Sequence, residues 1–334
     1  MMRTVTGCMI LSVSLAGSSS IGGNAWGQLA SAGSTDRAYG RLIPATTTMV
    51  TAWDTPRNPL RDSSLEGSAR AEKIRKGFRL FLQTPRRAPR FTANKLSCNN
   101  CHLNAGQRER ALPLVGVARV FPEYNKREGR LFTLEDRIVG CFMRSENATG
   151  VRTPGRRGHP PQAAAYPDTN SEEVQAIAAY ITWLSEDLRL GEKLPWRGHN
   201  MISADSSLPI EKLDPGLGKQ LYTANCQNCH GVDGQGVQIG DKKAGPLWGP
   251  NSWNDGAGAA RIYTLAGFIR YSMPYLNPGS LSDKEAQHIA AYINSKSRPR
   301  YPLKDRDYLL TGIPPDAVYY PARQDSPPQE HRDR

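Results

Sequence analysis

The chain has 334 residues, of which 38% are apolar and 22% charged, a balance that fits a soluble globular protein of two domains rather than one. Forty-three Lys and Arg against 31 Asp and Glu leave a formal net charge of +12, which points to anionic substrates or partners. Such a charge invites a nucleic-acid reading, but no nucleic-acid fold signature accompanies it, so none is expected as a partner.

The N-terminus reads as an export signal. Met1, Met2 and Arg3 carry the charge, Cys8 to Leu15 form a short apolar core, and small residues follow through Ala25, Gly27 and Ala30. That core is too short to span a bilayer as a permanent helix. Residues 1–30 are therefore expected to be removed, leaving a periplasmic protein with no membrane insertion. Cys8 goes with the signal. Of the six cysteines, Cys98, Cys101, Cys141, Cys226 and Cys229 remain. An odd number in an oxidising compartment flags a reactive or ligating thiol.

Two segments read Cys-x-x-Cys-His: Cys98, Cys101 and His102 in "CNNCH", and Cys226, Cys229 and His230 in "CQNCH". This spacing attaches c-type haem, with two thiols for the porphyrin vinyls and an adjacent imidazole for iron. Each motif lies in a similar frame. "GFRLF" (77–81) matches "GKQLY" (218–222) upstream, and "QAIAAYI" (175–181) matches "QHIAAYI" (287–293) downstream. Both downstream copies follow a serine cap, Ser171 and Ser282, the second with Glu285 at capping-box spacing. Apolar residues then recur at helical intervals, at Val174, Ile177, Ala178 and Ile181, and at Ala286, Ile289, Ala290 and Ile293.

Helix, haem motif, loops and terminal helix, twice over, resembles the plan of class I cytochrome c. The expected fold is all-α: two class I cytochrome c-like domains in tandem, each with one covalently bound haem c. The first domain is placed at 31–195 and the second at 214–300, with a polar linker at 196–213. A Pro- and charge-rich extension at 301–334 is expected to wrap the surface or be disordered.

The second axial ligand decides what each haem does. In the second domain Met273, in "YSMPYLNPGSLSD", is the one methionine after the haem motif, and a thioether there favours Fe(II) and raises the potential. In the first domain Met143, Cys141 and His159 are the soft or imidazole donors between the motif and the terminal helix. Met143 would make an ordinary carrier, His159 a low-potential bis-His haem, and Cys141 a thiolate-ligated haem of still lower potential. A buried inert thiol is the bland alternative for Cys141.

The segments "LSCNNCHLNAG", "FPEYNKREGRLFTLEDRIVGCFMRSEN" and "AAYITWLSEDL" resemble the tetrathionate-forming thiosulfate dehydrogenases, periplasmic dihaem cytochromes. The resemblance implies that Cys141 ligates the catalytic haem opposite His102, and that Arg127, Arg137, Arg144 and Ser145 line the substrate pocket. It implies a His230/Met273 haem that takes the electrons and passes them to a small periplasmic acceptor, a cytochrome c or a high-potential iron–sulfur protein. Thiosulfate and tetrathionate are the expected small-molecule partners. Three departures stand out: "SENATG" is longer than the usual Asn-Gly, the linker is long, and Ser272 stands where some members carry a lysine next to the methionine. Two rivals follow from the same residues: a dihaem subunit joining thiosulfate to a carrier-protein cysteine, and a non-enzymatic carrier with Met143 as ligand.

Overall fold

The computed structural model describes residues 55–150, 165–189, 191, 193–194, 196–239 and 242–321. The export signal, His159 and the end of the tail lie outside the described residues. The longer helices are α1 (Ala71–Leu82), α2 (Leu134–Ser145), α3 (Glu172–Trp183), α4 (Pro215–Asn225), α5 (Ile262–Ser272) and α6 (Asp283–Asn294). Strand is confined to two small antiparallel hairpins among the described residues. β1 (Glu123–Asn125) pairs β2 (Arg130–Phe132) with Tyr124 opposite Leu131, and β3 (Gln238–Ile239) pairs β4 (Lys242–Lys243). The fold is helical, with two cytochrome c-like halves.

Each half is organised around one crossing of two helices. α1 buries Ile74, Phe78 and Phe81, and α3 buries Val174, Ile177, Ala178 and Ile181, the stripes their spacing predicts. They meet where Gly77 lets backbone touch backbone: a Cβ there would lie 1.9 Å from the Ala176 carbonyl oxygen. In the second half α4 crosses α6 in the same way, and a Cβ on Gly218 would lie 2.0 Å from the His288 carbonyl oxygen. The glycine that opens both repeats is thus a close-approach residue. Equivalent aromatic pairs fill both crossings, Phe81 with Tyr180 at 5.7 Å and Tyr222 with Tyr292 at 5.4 Å.

Side-chain caps start α2, α4 and α6, whereas α1, α3 and α5 start without one. Thr133 and Asp136 cap α2 reciprocally, the Asp136 N–H donating to the threonine hydroxyl at 3.1 Å and the Thr133 N–H to the carboxylate at 2.9 Å. Ser282 and Glu285 do the same for α6. Ser171 sits at the start of α3, but its hydroxyl donates to the Asp168 carbonyl at 2.7 Å and makes no cap bond. The expected cap on α3 is therefore wrong, because a nearer carbonyl takes the hydroxyl.

The two apolar cores are joined rather than merely tethered. Leu96, two residues before the first haem motif, belongs to the core built by α4, α5 and α6. The described part of the C-terminal extension, up to residue 321, packs on the body of the protein. Asp316 is fully buried and accepts from Arg261 Nη2 at 2.7 Å and the Tyr263 N–H at 3.0 Å. No helix among the described residues is long and apolar enough to cross a membrane.

Candidate active site

The first haem motif is a tight turn whose histidine is set for metal binding. Asn100 accepts the Ser97 N–H at 2.8 Å, and the His102 N–H donates to the Cys98 carbonyl at 3.0 Å. His102 Nδ1 lies 2.6 Å from the Leu112 carbonyl oxygen. A carbonyl can only accept, so Nδ1 carries the proton and Nε2 keeps its lone pair for iron. Burial lowers the imidazole to about 4, against the Leu112 carbonyl and with help from the Arg137 charge. His102 is therefore neutral at ordinary pH.

The helix α2 sorts the competing ligands. With about 3.6 residues per turn, positions four apart lie on one side, so Arg137, Cys141 and Ser145 form a single stripe beside buried Leu134 and Ile138. Met143, two residues from Cys141, points to the other side of the helix. Cys141 is half-buried, and burial, then Glu146, then Cys141 push the Cys101 thiol up to about 12. Glu146 itself is buried, with Oε2 lacking a partner, and desolvation raises its carboxyl.

The last turn of α2 is held from both domains. Asn254 donates from Nδ2 to the Met143 carbonyl at 2.8 Å and from its N–H to the Arg144 carbonyl at 3.0 Å. Asn94 donates to the Ser145 carbonyl at 2.5 Å. These bonds satisfy carbonyls a helix end leaves open. Arg127, half-buried in the turn between β1 and β2, donates from Nη1 to the Gly256 carbonyl at 2.5 Å. Arg144 reaches the same carbonyl at 3.0 Å but is buried, held by Asp307 at 2.6 and 2.7 Å and by Glu128 at 3.1 Å. Arg137 is exposed. Arg127, Arg137, Cys141, Arg144 and Ser145 thus gather on α2 and the hairpin before it, with Arg144 turned into an ion-pair cluster.

The second motif repeats the first with a looser bond: His230 Nδ1 lies 3.2 Å from the Gly245 carbonyl oxygen. Met273 follows the last residue of α5 and packs on the second core. Two buried donors there, Trp253 Nε1 and Arg298 Nη1, lack partners, and the guanidinium lies 4.9 Å over the Trp253 ring. A carboxylate such as a haem propionate suits that pair, so the residues present fit a haem in this half as in the first.

The two attachment sites adjoin. Gly245, whose carbonyl orients His230, presses on Asn100 of the first motif; a Cβ there would lie 3.1 Å from Asn100 Cγ. Beside Met273, buried Ser272 donates to the Arg110 carbonyl at 2.9 Å. Arg108, also buried, donates to the Tyr275 carbonyl at 2.8 Å and lies over that ring. Sequence reasoning passed over Asn254, Glu146, Arg108 and Asp307. Glu146 lies within the quoted "CFMRSEN" but was given no role, while Asn254, Arg108 and Asp307 belong to no motif and their partners named here are distant along the chain.

Comparison with known proteins gives a consistent picture. Residues 88–190 match the SoxA/TsdA cytochrome c domain, and residues 214–293 match the family described as cytochrome C oxidase, cbb3-type, subunit III. The thiosulfate dehydrogenase of Stutzerimonas stutzeri is 37% identical over 245 residues, covering 73% of this chain and 73% of its own. That of Allochromatium vinosum is 38% identical over 244 residues, covering 71% and 82%. The solved thiosulfate dehydrogenase TsdBA of Marichromatium purpuratum, in its as-isolated form, superposes with a TM-score of 0.64 at 35% identity, over 75% of this chain. This chain spans half the length of that solved one.

Proposed function

The chain belongs to the thiosulfate dehydrogenase family, and we propose that it joins two thiosulfate ions into tetrathionate beside Cys141 and sends the two electrons to an external acceptor through both haems. The observation that carries the reading is the stripe of Arg137, Cys141 and Ser145 on one side of α2, with Met143 on the other. His102 and Cys141 would hold the first haem iron, and His230 and Met273 the second. When bound, the haems supply two one-electron acceptors, which matches the two electrons released as the S–S bond forms and no proton is taken up or lost.

The chain's residues supply the rest. Two thiosulfate dianions brought to about 4 Å meet four unit repulsions, each about 1 kcal/mol in water and several-fold larger in a drier pocket. Guanidinium groups offset this charge and match oxyanions in a forked geometry. The exposure of Arg137, one turn before Cys141, and the anchoring of Arg127 on Gly256 through Nη1 support that role for both. Ser145, one turn beyond Cys141, offers a hydroxyl to the same region. The contact of Gly245 with Asn100 supports a short passage from the first haem to the second. Export to the periplasm, and a small cytochrome c or high-potential iron–sulfur protein as acceptor, complete the proposal.

Product analysis tests it. Haem-loaded protein given thiosulfate and ferricyanide, with no other protein present, should form one tetrathionate for every two ferricyanide ions reduced. Turnover that requires an added cysteine-bearing carrier protein would contradict the proposal and favour a transferase.

A further inference from the structure

The C-terminal extension carries a buried acid that no motif announces. Asp307 is 1% exposed and lies 163 residues from Arg144 in sequence, yet its two carboxylate oxygens accept from both terminal nitrogens of that arginine, at 2.6 and 2.7 Å. The Tyr320 hydroxyl donates to the same carboxylate. Arg144 also donates to Glu128 and to the Gly256 carbonyl, and its guanidinium lies 4.1 Å over the Tyr301 ring. The four N–H groups on its two terminal nitrogens are all committed, which leaves Arg144 little to offer an anion.

The neighbouring residue acts on the second arginine. The Tyr308 N–H donates to the Arg127 carbonyl at 2.6 Å, and the Arg127 guanidinium lies 5.4 Å from the Tyr308 ring centre. Tyr308 holds a φ of +59°, a costly value for a residue with a side chain. Arg127 and Arg144 share one acceptor, the Gly256 carbonyl. If Arg144 loses Asp307, it must draw more on Gly256 and Glu128, and Arg127 moves with them.

We propose that Asp307 is a positioning residue for thiosulfate binding: by locking Arg144 to the extension, it fixes Arg127 and the last turn of α2, which carries Cys141 and Ser145. Arg144 is on this account a strut between α2, the second domain and the extension, not a ligand of the anion. The inference rests on the functional reading above. The extension is then a strap that completes the site, and Asp316, which anchors it at a distance through Arg261 and Tyr263, serves as the internal control.

The test compares wild type, Asp307→Asn and Asp316→Asn as full-length haem-loaded proteins. Thiosulfate KM and kcat, thermal midpoint and the visible haem spectrum are read on each. Asp307→Asn should raise KM about tenfold, the order of one lost charge-assisted contact, with kcat reduced far less and the haem spectrum unchanged. Asp316→Asn should lower the thermal midpoint and leave KM near the wild-type value. An unchanged KM in Asp307→Asn overturns the proposal, as does an equal KM rise in both variants, which would mean general loosening of the strap. Should Asp307→Asn fail to accumulate with haem, Tyr320→Phe removes one donor from the same carboxylate; a KM raised about twofold or more supports the lock and an unchanged KM overturns it. A wild type that does not oxidise thiosulfate overturns the functional reading and this inference with it.

Discussion

Adding one methyl group to the glycine at each helix crossing should destabilise the protein, although the same change elsewhere in a helix stabilises it. At Gly77 the new Cβ would lie 1.9 Å from the Ala176 carbonyl oxygen and 3.0 Å from Tyr180 Cβ. An uncharged contact needs about 3.5 Å, so α1 and α3 must separate by about 1.5 Å, and the obstacle is backbone that no rotamer relieves. Overpacking of this kind costs about 1–3 kcal/mol or more, against about 1 kcal/mol gained in helix propensity. Because the obstacle is backbone, the upper end of that range applies, and a net loss of about 2 kcal/mol remains. Gly218→Ala, with its Cβ 2.0 Å from the His288 carbonyl oxygen, should behave alike. Gly140 in α2 is the contrast: its Cβ would meet nothing nearer than the Phe132 ring at 3.9 Å, so Gly140→Ala should gain about 0.5–1 kcal/mol. Urea unfolding of the haem-loaded proteins, followed by far-UV circular dichroism and haem absorbance, measures all three. A Gly77→Ala protein as stable as wild type, or a Gly140→Ala protein less stable, would refute the crossing geometry.

Ser282→Ala breaks a formed capping box on α6 and should cost about 1 kcal/mol in the same unfolding assay, whereas Ser171→Ala on α3, which has no cap bond to lose, should cost clearly less. Tyr180→Phe removes the hydroxyl that donates to the buried Ala105 carbonyl at 2.7 Å, next to the first haem motif, and should cost about 1–3 kcal/mol by the same measurement. Arg137→Gln should raise the thiosulfate KM about tenfold at low salt, with the gap to wild type narrowing as ionic strength rises, since this arginine is exposed and its charge is screened. Initial rates across a salt series check that.

Much of this could be read in the sequence because it is local or periodic. The Cys-x-x-Cys-His segments, the apolar stripes of α3 and α6, and the matching "GFRLF" and "GKQLY" segments carry their geometry in short spacings. The hairpin of β1 and β2 is too brief to leave a pattern of alternation. Ser171 shows the limit of cap rules, since Asp168 lies three residues back and competes for the hydroxyl. What stayed hidden is the joining of distant residues. Nothing in "RSEN" or "DRDYLL" says that Arg144 and Asp307 form one ion pair. A Pro- and charge-rich tail read as a surface wrap or as disorder because its buried acids, Asp307 and Asp316, are stable inside only with Arg144 and Arg261 as partners. The carbonyl caps from Asn254 to α2 were invisible for the same reason.

The central claim is that thiosulfate oxidation takes place at Cys141, on the face of α2 shared with Arg137 and Ser145. The most direct measurement is tetrathionate formed from thiosulfate and ferricyanide by wild type beside Cys141→Ala, each carrying both haems as shown by haem content. Tetrathionate from the wild type, with none from the variant above the background of free haem protein, is the predicted result. Equal tetrathionate from both would contradict the account and leave Cys141 a half-buried thiol with no part in the chemistry.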